Sequence, residues 1–129
     1  WNLSILKKMK SVDQTAGDSW KDFRSPFEID FKPDVIIDSI LGTGITGEIR
    51  EPYSSAINYI NETDCFKFAV DVPSGLDPQT GETANVYTKC DMTVTFHKMK
   101  QGIPKRKDLT GELFAEKIGI PPEAEDGIL

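Results

Sequence analysis

Two aspartates near the ends of apolar segments are the first residues that suggest chemistry. Asp38 interrupts the apolar run 35–41, and Asp71 lies near the end of the run 66–72. A buried carboxylate is unfavourable unless something pairs with it, so each aspartate needs a partner or a role. Ligands of open α/β sheets bind beyond the carboxyl ends of the strands, where both side chains are expected. We expect one carboxylate to hold a cation or polar ligand and the other to move a proton with a raised pKa. The alternative is that each accepts hydrogen bonds from the turn that follows it.

A glycine loop follows the first apolar run directly. Residues 42–47 read Gly-Thr-Gly-Ile-Thr-Gly, which matches the spacing of the dinucleotide-binding fingerprint. Such glycines let a phosphate approach the backbone and the start of a helix. The next helix is expected only near Pro52, and the loop has no Walker lysine, so the motif predicts a phosphate cradle without establishing dehydrogenase chemistry. A dehydrogenase would need an acidic residue about 20 positions on, for which Glu62 and Asp64 are the candidates.

Ser74 comes three residues after Asp71, and three roles are open to it. It could be a nucleophile, but its surroundings do not resemble a nucleophile elbow. The only histidine, His97, lies in a basic loop, which disfavours a Ser-His triad. We expect an oxygen of Ser74 to turn inward, either as a cation ligand or in a turn hydrogen bond. A carboxylate combined with turn oxygens suits a hard cation. Asp77 is expected to form an Asx turn before Pro78.

The apolar pattern predicts the elements that would position these residues. Runs 35–41 and 66–72 are typical of strands buried on both faces of a parallel sheet. Between them, Tyr53, Ile57 and Ile60 form one stripe at helical spacing, so the region predicts a βαβ unit. Further strands are expected over residues 92–96 and 113–120, with a short amphipathic helix over 2–9 and an edge strand over 27–31.

Composition narrows the function classes. The 129 residues carry a net charge of -6, which suits one soluble domain and disfavours a sequence-independent nucleic-acid binder. No apolar run is long enough to span a membrane. Cys65 and Cys90 are too few for a disulfide framework and indicate packing residues in a reducing, cytoplasmic setting. The basic segment, residues 97–107, is either a contact for a nucleotide phosphate or a solvated loop.

Several blocks of the sequence, in this order, resemble the YjeF N-terminal domain family, the NAD(P)H-hydrate epimerases. The resemblance rests on residues 34–44, 47–53, 69–77 with Thr80 and Gly81, 91–96, Lys100 with Gly102, and 118–121. It implies an α/β fold, a Rossmann-like three-layer αβα sandwich with a mostly parallel sheet that is incomplete at the N-terminal side.

The resemblance also implies an activity and a site. The activity is epimerisation of the R and S hydrates of NADH and NADPH, with NAD(P)HX as substrate rather than cofactor. It implies a potassium ion near Asp38 and Ser74, and a homodimer that works with a separate or fused NAD(P)HX dehydratase. Asp71 would contact the substrate and act as acid/base at the hydrated C6 carbon. The remaining substrate contacts would come from Gly42, Thr43, Gly44, Ile45, Thr46, Gly47 and Glu48.

The sequence departs from the family pattern at its beginning. The family has an earlier Gly-Asn-Asn-Gly-Gly-Asp loop that supplies another potassium ligand, and nothing in residues 1–33 matches it. The chain opens on Trp1, so we expect residues 1–121 to be the C-terminal part of the domain and 122–129 a linker or tail. His97 stands where the family usually has a small residue. The alternative function is a non-catalytic scaffold module that binds a nucleotide or a partner, as in mRNA-decapping enhancer proteins.

Overall fold

A computed structural model describes residues 32–44 and 47–121, and its centre is an open sheet of four strands. All neighbouring strands are parallel, in the order β1-β2-β3-β4. The strands are β1 (Val35–Asp38), β2 (Phe66–Val70), β3 (Met92–Phe96) and β4 (Glu112–Glu116). Helix α1 (Tyr53–Glu62) joins β1 to β2, and a 3-10 helix (Ile103–Lys105) followed by α2 (Lys107–Thr110) joins β3 to β4.

This architecture confirms the predicted Rossmann-like α/β class and the βαβ unit. Strand β3 has the predicted bounds, whereas β1, β2 and β4 end earlier than the apolar runs suggested. The reason at β2 is visible in the backbone, because Asp71 has a φ of 68°, which an extended strand does not allow. The predicted helix over residues 2–9, the edge strand over 27–31 and the tail over 122–129 lie outside the described residues.

The two faces of the sheet differ in burial, which corrects the expectation that β1 is buried on both sides. Asp38 pairs in register with Ala69, and Ala69 with Thr93, and this row is buried. On the opposite face of β1, Val35 is 52% exposed and Ile37 is 63% exposed. Strand β1 is at the edge of the described sheet, and the described residues cover only one of its faces.

The apolar core lies beside the turn that follows β2. Its fully buried members are Val72, Leu76, Ile103 and Leu109, with Tyr87 and Leu113 packed against them. Burial of aliphatic side chains of this size is worth about 1.5–3 kcal/mol each. Two of these residues, Val72 and Leu76, belong to the turn after β2, so the core holds that turn in place.

Helix α1 contributes two of the three residues in its predicted apolar stripe. Ile57 and Ile60 are buried, while Tyr53 at the first turn is half exposed. Near the other end of the helix, the Asn61 amide donates to the carbonyl of Tyr87 at 2.8 Å and accepts from the N–H of Lys89 at 2.9 Å. None of the described helices is long and apolar enough to cross a membrane.

Asp91 ties three strands together at the amino end of the sheet. Its carboxylate accepts from the N–H of Lys67 at 2.7 Å, and its own N–H donates to the Lys67 carbonyl at 2.8 Å. Its carbonyl accepts from the N–H of Glu112 at 2.8 Å. These bonds set the register of β2, β3 and β4, so Asp91 has a structural role at the end opposite to Asp38 and Asp71.

Candidate functional site

Asp38 ends β1 in a buried cluster of hydroxyl and amide donors. Asp38 is 1% exposed. One carboxylate oxygen accepts from the Ser74 hydroxyl at 2.6 Å and, more weakly, from the N–H of Ile40 at 3.4 Å. The other accepts from the N–H of Ser74 at 2.8 Å and from the hydroxyl of Thr88. The carboxylate therefore clamps the turn after β2 against the end of β1.

Ser74 extends this cluster to the beginning of the glycine loop. Its hydroxyl oxygen accepts from the N–H of Leu41 at 3.0 Å while its proton goes to Asp38. The inward-turned hydroxyl that the sequence predicted is confirmed as a hydrogen-bonded group. Among the described residues, the hydroxyl donates its proton to a buried carboxylate, which is a structural hydrogen bond.

The chemistry of the Asp38 cluster suits a cation with a preference for oxygen. Every donor that the described residues supply to the Asp38 carboxylate is neutral, so its buried negative charge has no charged partner there. A buried charge of that kind is normally paired or coordinates a metal. The described residues contain no group of three or more His, Cys, Asp or Glu side chains arranged for a metal. A cation would therefore use Asp38 together with hydroxyl and carbonyl oxygens.

Asp71 is held at the carboxyl end of β2 by a second network. Its N–H donates to the carbonyl of Val94 at 2.8 Å, which fixes the left-handed backbone beside β3. One carboxylate oxygen accepts from the Thr95 hydroxyl at 3.1 Å and from the N–H of Phe96 at 2.9 Å. The same oxygen pairs with the ammonium of Lys100. The carboxylate is thus fixed by three donors that all come from β3 or the loop after it.

The expectation that the pKa of this carboxyl is raised is wrong for Asp71. Burial alone raises its pKa, but the combined effect of its donors is larger. The hydrogen bond from Lys100, the N–H of Phe96, the positive charge of Lys100 and the Thr95 hydroxyl bring the pKa below the usual aspartate range. The lowered pKa favours the ionised form of Asp71, which can accept a proton.

Part of the basic segment makes contacts within the protein that neither the phosphate-contact nor the solvated-loop interpretation described. Lys100 turns inward to Asp71, and its side chain is 19% exposed. Arg106 pairs with Asp108 at 2.9 Å and donates to the carbonyl of Gly81 at 3.0 Å. Lys105 and Lys107 are exposed. Part of the segment therefore holds the site and the loop around Gly81, and part faces solvent.

The glycine loop borders a cleft of about 400 Å³. One wall is Gly42, Gly44 and Gly47, and the other is the turn after Ser74: Gly75, Leu76, Asp77, Pro78, Glu82, Thr83 and Ala84. Thr43 and Glu48 line a second hollow of about 520 Å³ next to it. Ile45 and Thr46 lie outside the described residues. The structure thus gathers the described part of the predicted substrate loop beside the Ser74 turn.

Specific contacts fix the shape of this cleft. The Asn85 amide bonds to both backbone groups of Ile49, at 2.8 and 3.1 Å, and so anchors the segment after the glycine loop. Asp77 accepts from the N–H groups of Gln79 and Thr80 at 2.8 and 2.9 Å, which confirms the predicted Asx turn. A Cβ atom on Gly75 would lie 2.3 Å from a backbone carbonyl oxygen, so this wall is built of backbone packed on backbone.

The acidic residues that would serve a dehydrogenase lie at the wrong end of the sheet. Glu62 ends α1 and Asp64 precedes β2, so both are at the amino end of that strand. Asp64 is an exposed ion-pair partner of Lys32 at 3.2 Å. A ribose-binding carboxylate is needed beyond the carboxyl ends of the strands. Of the predicted candidates, only Asp38 and Asp71 occupy that edge.

The sequence assigned no role at the site to three residues that complete these networks: Thr88, Thr95 and Lys100. The alternating pattern of β3 offered a partial signal for Thr95. That alternation suggests that the apolar side chains of β3 face the core. In the structure Thr93 and Thr95 are fully buried, so the threonine side of the strand is the more buried one. Thr88 lies in no helix or strand, and its contact with Asp38 spans 50 residues of sequence. Nothing in its local pattern indicates that contact.

Comparisons with known proteins show the family of the chain. A family model described as YjeF-related protein N-terminus matches residues 1–102. Over its whole length the chain is 78% identical to a protein named NAD(P)H-hydrate epimerase from Nitrosopumilus maritimus and covers 57% of that protein. It is 62% identical to a protein of the same name from Cenarchaeum symbiosum and again covers 57% of it. A bifunctional NAD(P)H-hydrate repair enzyme Nnr from Archaeoglobus fulgidus is 52% identical over 78% of this chain and 21% of its own length. The chain spans little more than half the length of the first two relatives. It belongs to the YjeF-related N-terminal family.

Proposed function

We propose that this protein interconverts the R and S hydrates of NADH and NADPH, with Asp71 as the acid/base. The observation that carries the proposal is the Asp71 carboxylate, which three hydrogen-bond donors hold at the carboxyl edge of a parallel sheet. The turn that follows Asp71 also forms one wall of the glycine-lined cleft. The names of the relatives support the substrate class.

The proposed reaction requires one proton to leave the hydroxyl group on the hydrated carbon and, after the carbonyl has turned over, to return to it. That carbon bears a hydroxyl and is bonded to the ring nitrogen. Asp71 takes the hydroxyl proton as a carbonyl forms and the bond from carbon to nitrogen breaks, and the electron pair of that bond stays on the nitrogen. Asp71 then gives the same proton to the nitrogen. Reversal of these steps on the opposite face of the carbonyl restores the ring with inverted configuration. No net proton or electron is exchanged, so a base that is ionised at rest is sufficient.

We assign nucleotide binding to the glycine loop. Gly42, Gly44 and Gly47 leave one wall of the cleft without side chains, and the last two have φ angles of 96° and 84°. Such a wall allows a phosphate to approach the backbone closely. In this proposal Thr43, Ile45, Thr46 and Glu48 complete the substrate loop.

A potassium ion held by Asp38 and Ser74 is part of the proposal. The ion would neutralise the buried Asp38 charge, and it would fix the junction between the glycine loop and the turn after β2. We expect the thermal midpoint of the intact protein to be higher in potassium chloride than in tetramethylammonium chloride at equal ionic strength. This difference should disappear in Asp38→Asn. An equal midpoint in the two salts would remove potassium from the site.

The test of the function is turnover by the intact protein with potassium present. Interconversion of the two hydrates, followed by chromatography, should be accelerated, and Asp71→Asn should lower the rate by about 10²- to 10⁴-fold. Asp64→Asn is the matched control, because it makes the same change at an exposed position at the other end of β2. An active Asp71→Asn variant would dismiss Asp71 as the base. Absence of acceleration in the unaltered protein would instead favour the scaffold alternative.

The proposed partners follow from the same chemistry. An epimerase supplies one hydrate to a dehydratase, and the bifunctional relative is named as a repair enzyme. We therefore propose that a separate or fused dehydratase consumes the product. A homodimer is also proposed, and sedimentation of the intact protein tests it directly.

A further inference from the structure

We infer that Lys100 is a positioning residue for Asp71, which fixes the orientation and charge of that carboxylate at the edge of the sheet. This inference rests on the proposed function and adds a role that the basic segment did not reveal. Its support comes from the contacts of the ammonium group, from the backbone on both sides of it and from the burial of the pair.

The three N–H bonds of the Lys100 ammonium all have acceptors within the site. They point to the Asp71 carboxylate, to the Thr95 hydroxyl at 2.8 Å and to the carbonyl of Phe96 at 3.1 Å. An ammonium has three donors and no acceptor, so these contacts use its whole hydrogen-bonding capacity. A surface ion pair would leave donors directed at water. Lys100 therefore forms a tripod that joins Asp71 to the end of β3.

The backbone is arranged to bring this tripod together. Asp71 and His97 are the two non-glycine residues with positive φ in the described chain, at 68° and 66°, and they follow β2 and β3. Beyond His97, the N–H of Lys98 donates to the Phe96 carbonyl at 2.8 Å, which turns the loop back toward β3. Rare backbone conformations of this kind are unfavourable and tend to cluster at functional sites.

Burial makes the Lys100 charge effective. The side chains of Lys100 and Asp71 are 19% and 24% exposed, so water screens them less than it screens an exposed pair. The other two donors to Asp71, the Thr95 hydroxyl and the Phe96 N–H, are neutral. Lys100 is thus the charged side chain that the described residues bring to this carboxylate. Its effect on the reaction acts through Asp71.

The test compares Lys100→Met with Lys105→Met in the intact protein. Both variants remove one positive charge from the basic segment, but Lys105 is exposed. Carbon-13 titration of the Asp71 carboxyl should show its pKa rising by about 1–3 units in Lys100→Met. The same titration should be unchanged in Lys105→Met. The imidazole of His97 is followed in the same spectra, so that its titration is separated from that of Asp71.

Turnover gives a second readout. In Lys100→Met the acid limb of the kcat/KM profile should move upward by the same 1–3 units, and kcat should fall by about 10-fold or more. Lys100→Arg keeps the charge but replaces the tripod by a planar fork, so the acid limb should stay near that of the unaltered protein while kcat falls. A purely structural role would lower the amount of folded protein without moving the limb.

The two readouts separate the inference from the proposed function. If the Asp71 carboxyl titrates identically in Lys100→Met and the unaltered protein, the inference is overturned, whatever the turnover. If the titration shifts while the unaltered protein shows no epimerase activity, the positioning of Asp71 stands and the proposed function fails. If Lys100→Met does not fold, Lys100→Arg is the deciding variant. It keeps the positive charge, so the acid limb of its kcat/KM profile should stay in place. A limb that moves upward by the 1–3 units expected for loss of the charge would overturn the inference.

Discussion

Replacing Thr88 by valine tests the hydrogen-bonded cluster around Asp38. Thr88 is fully buried, and its hydroxyl donates to an Asp38 carboxylate oxygen that also accepts from the N–H of Ser74. Valine has nearly the same shape, so the substitution removes one donor without opening a cavity. The expected result is loss of stability, because a buried carboxylate loses one of its few neutral partners.

The magnitude follows from the kind of bond that is lost. A hydrogen bond to a charged group contributes about 1.5–3 kcal/mol, and the remaining donors on Asp38 keep the loss within that range. With a urea dependence of about 2 kcal/mol per molar, a loss of about 2 kcal/mol lowers the urea midpoint by about 1 M. The measurement is urea unfolding of the intact protein followed by circular dichroism.

Thr110→Val is the matched control. Thr110 is also fully buried, but among the described residues its hydroxyl has no hydrogen-bond partner. The same chemical change there removes an unsatisfied group and should leave stability unchanged or raise it by up to about 1 kcal/mol. If the two variants shift the urea midpoint equally, the reasoning that the Thr88 hydroxyl stabilises the Asp38 charge is refuted.

Three further predictions concern other parts of the fold. Gly111→Ala should strongly lower the stability measured by urea unfolding, because its Cβ would lie 2.0 Å from a backbone oxygen. Gly119→Ala is the control, since the positive φ is similar but nothing lies within 4 Å of its Cβ, and it should lower the stability less. Since the pKa of Asp71 is lowered by folding, its contribution to stability is present at neutral pH and is lost as the pH falls through that lowered value. Asp71→Asn should flatten this acid dependence in unfolding curves recorded across pH, and an unchanged slope would contradict it. Burial raises the pKa of the Cys90 thiol to about 12, so iodoacetamide at mildly alkaline pH should modify half-buried Cys65 first, as peptide mass spectrometry would show. Equal modification of the two thiols would count against this burial.

The positions of Asp38 and Asp71 could be predicted because strand ends are visible in a sequence. A charged residue that interrupts a β-branched run marks the point where the buried strand stops, and parallel strands bring such points to one edge. The pKa of Asp71 could not be predicted in the same way. It depends on Lys100, which is 29 residues away and reaches the carboxylate only because the loop after β3 turns back.

The burial of β1 was predicted wrongly for a related reason. An apolar run such as residues 35–41 indicates that both faces of a strand are compatible with burial. It does not say which neighbours are present to cover them, and the described residues supply cover on one face only. Thr93 and Thr95 show the reverse case, since threonine hydroxyls were acceptable on the buried face once they found acceptors at Thr110 and Asp71.

The backbone wall of the cleft limits how its ligand preference could change. Gly75 cannot accept a side chain, because its Cβ would meet the neighbouring backbone at 2.3 Å. Gly42 differs, since it is not among the glycines with positive φ and nothing lies within 4 Å of a Cβ placed on it. New selectivity, whether natural or selected in the laboratory, would therefore arise by adding volume at Gly42 or by exchanging side chains at Glu82 and Thr83 on the opposite rim. Substitutions that add a side chain are therefore compatible with the backbone at Gly42 and incompatible with it at Gly75.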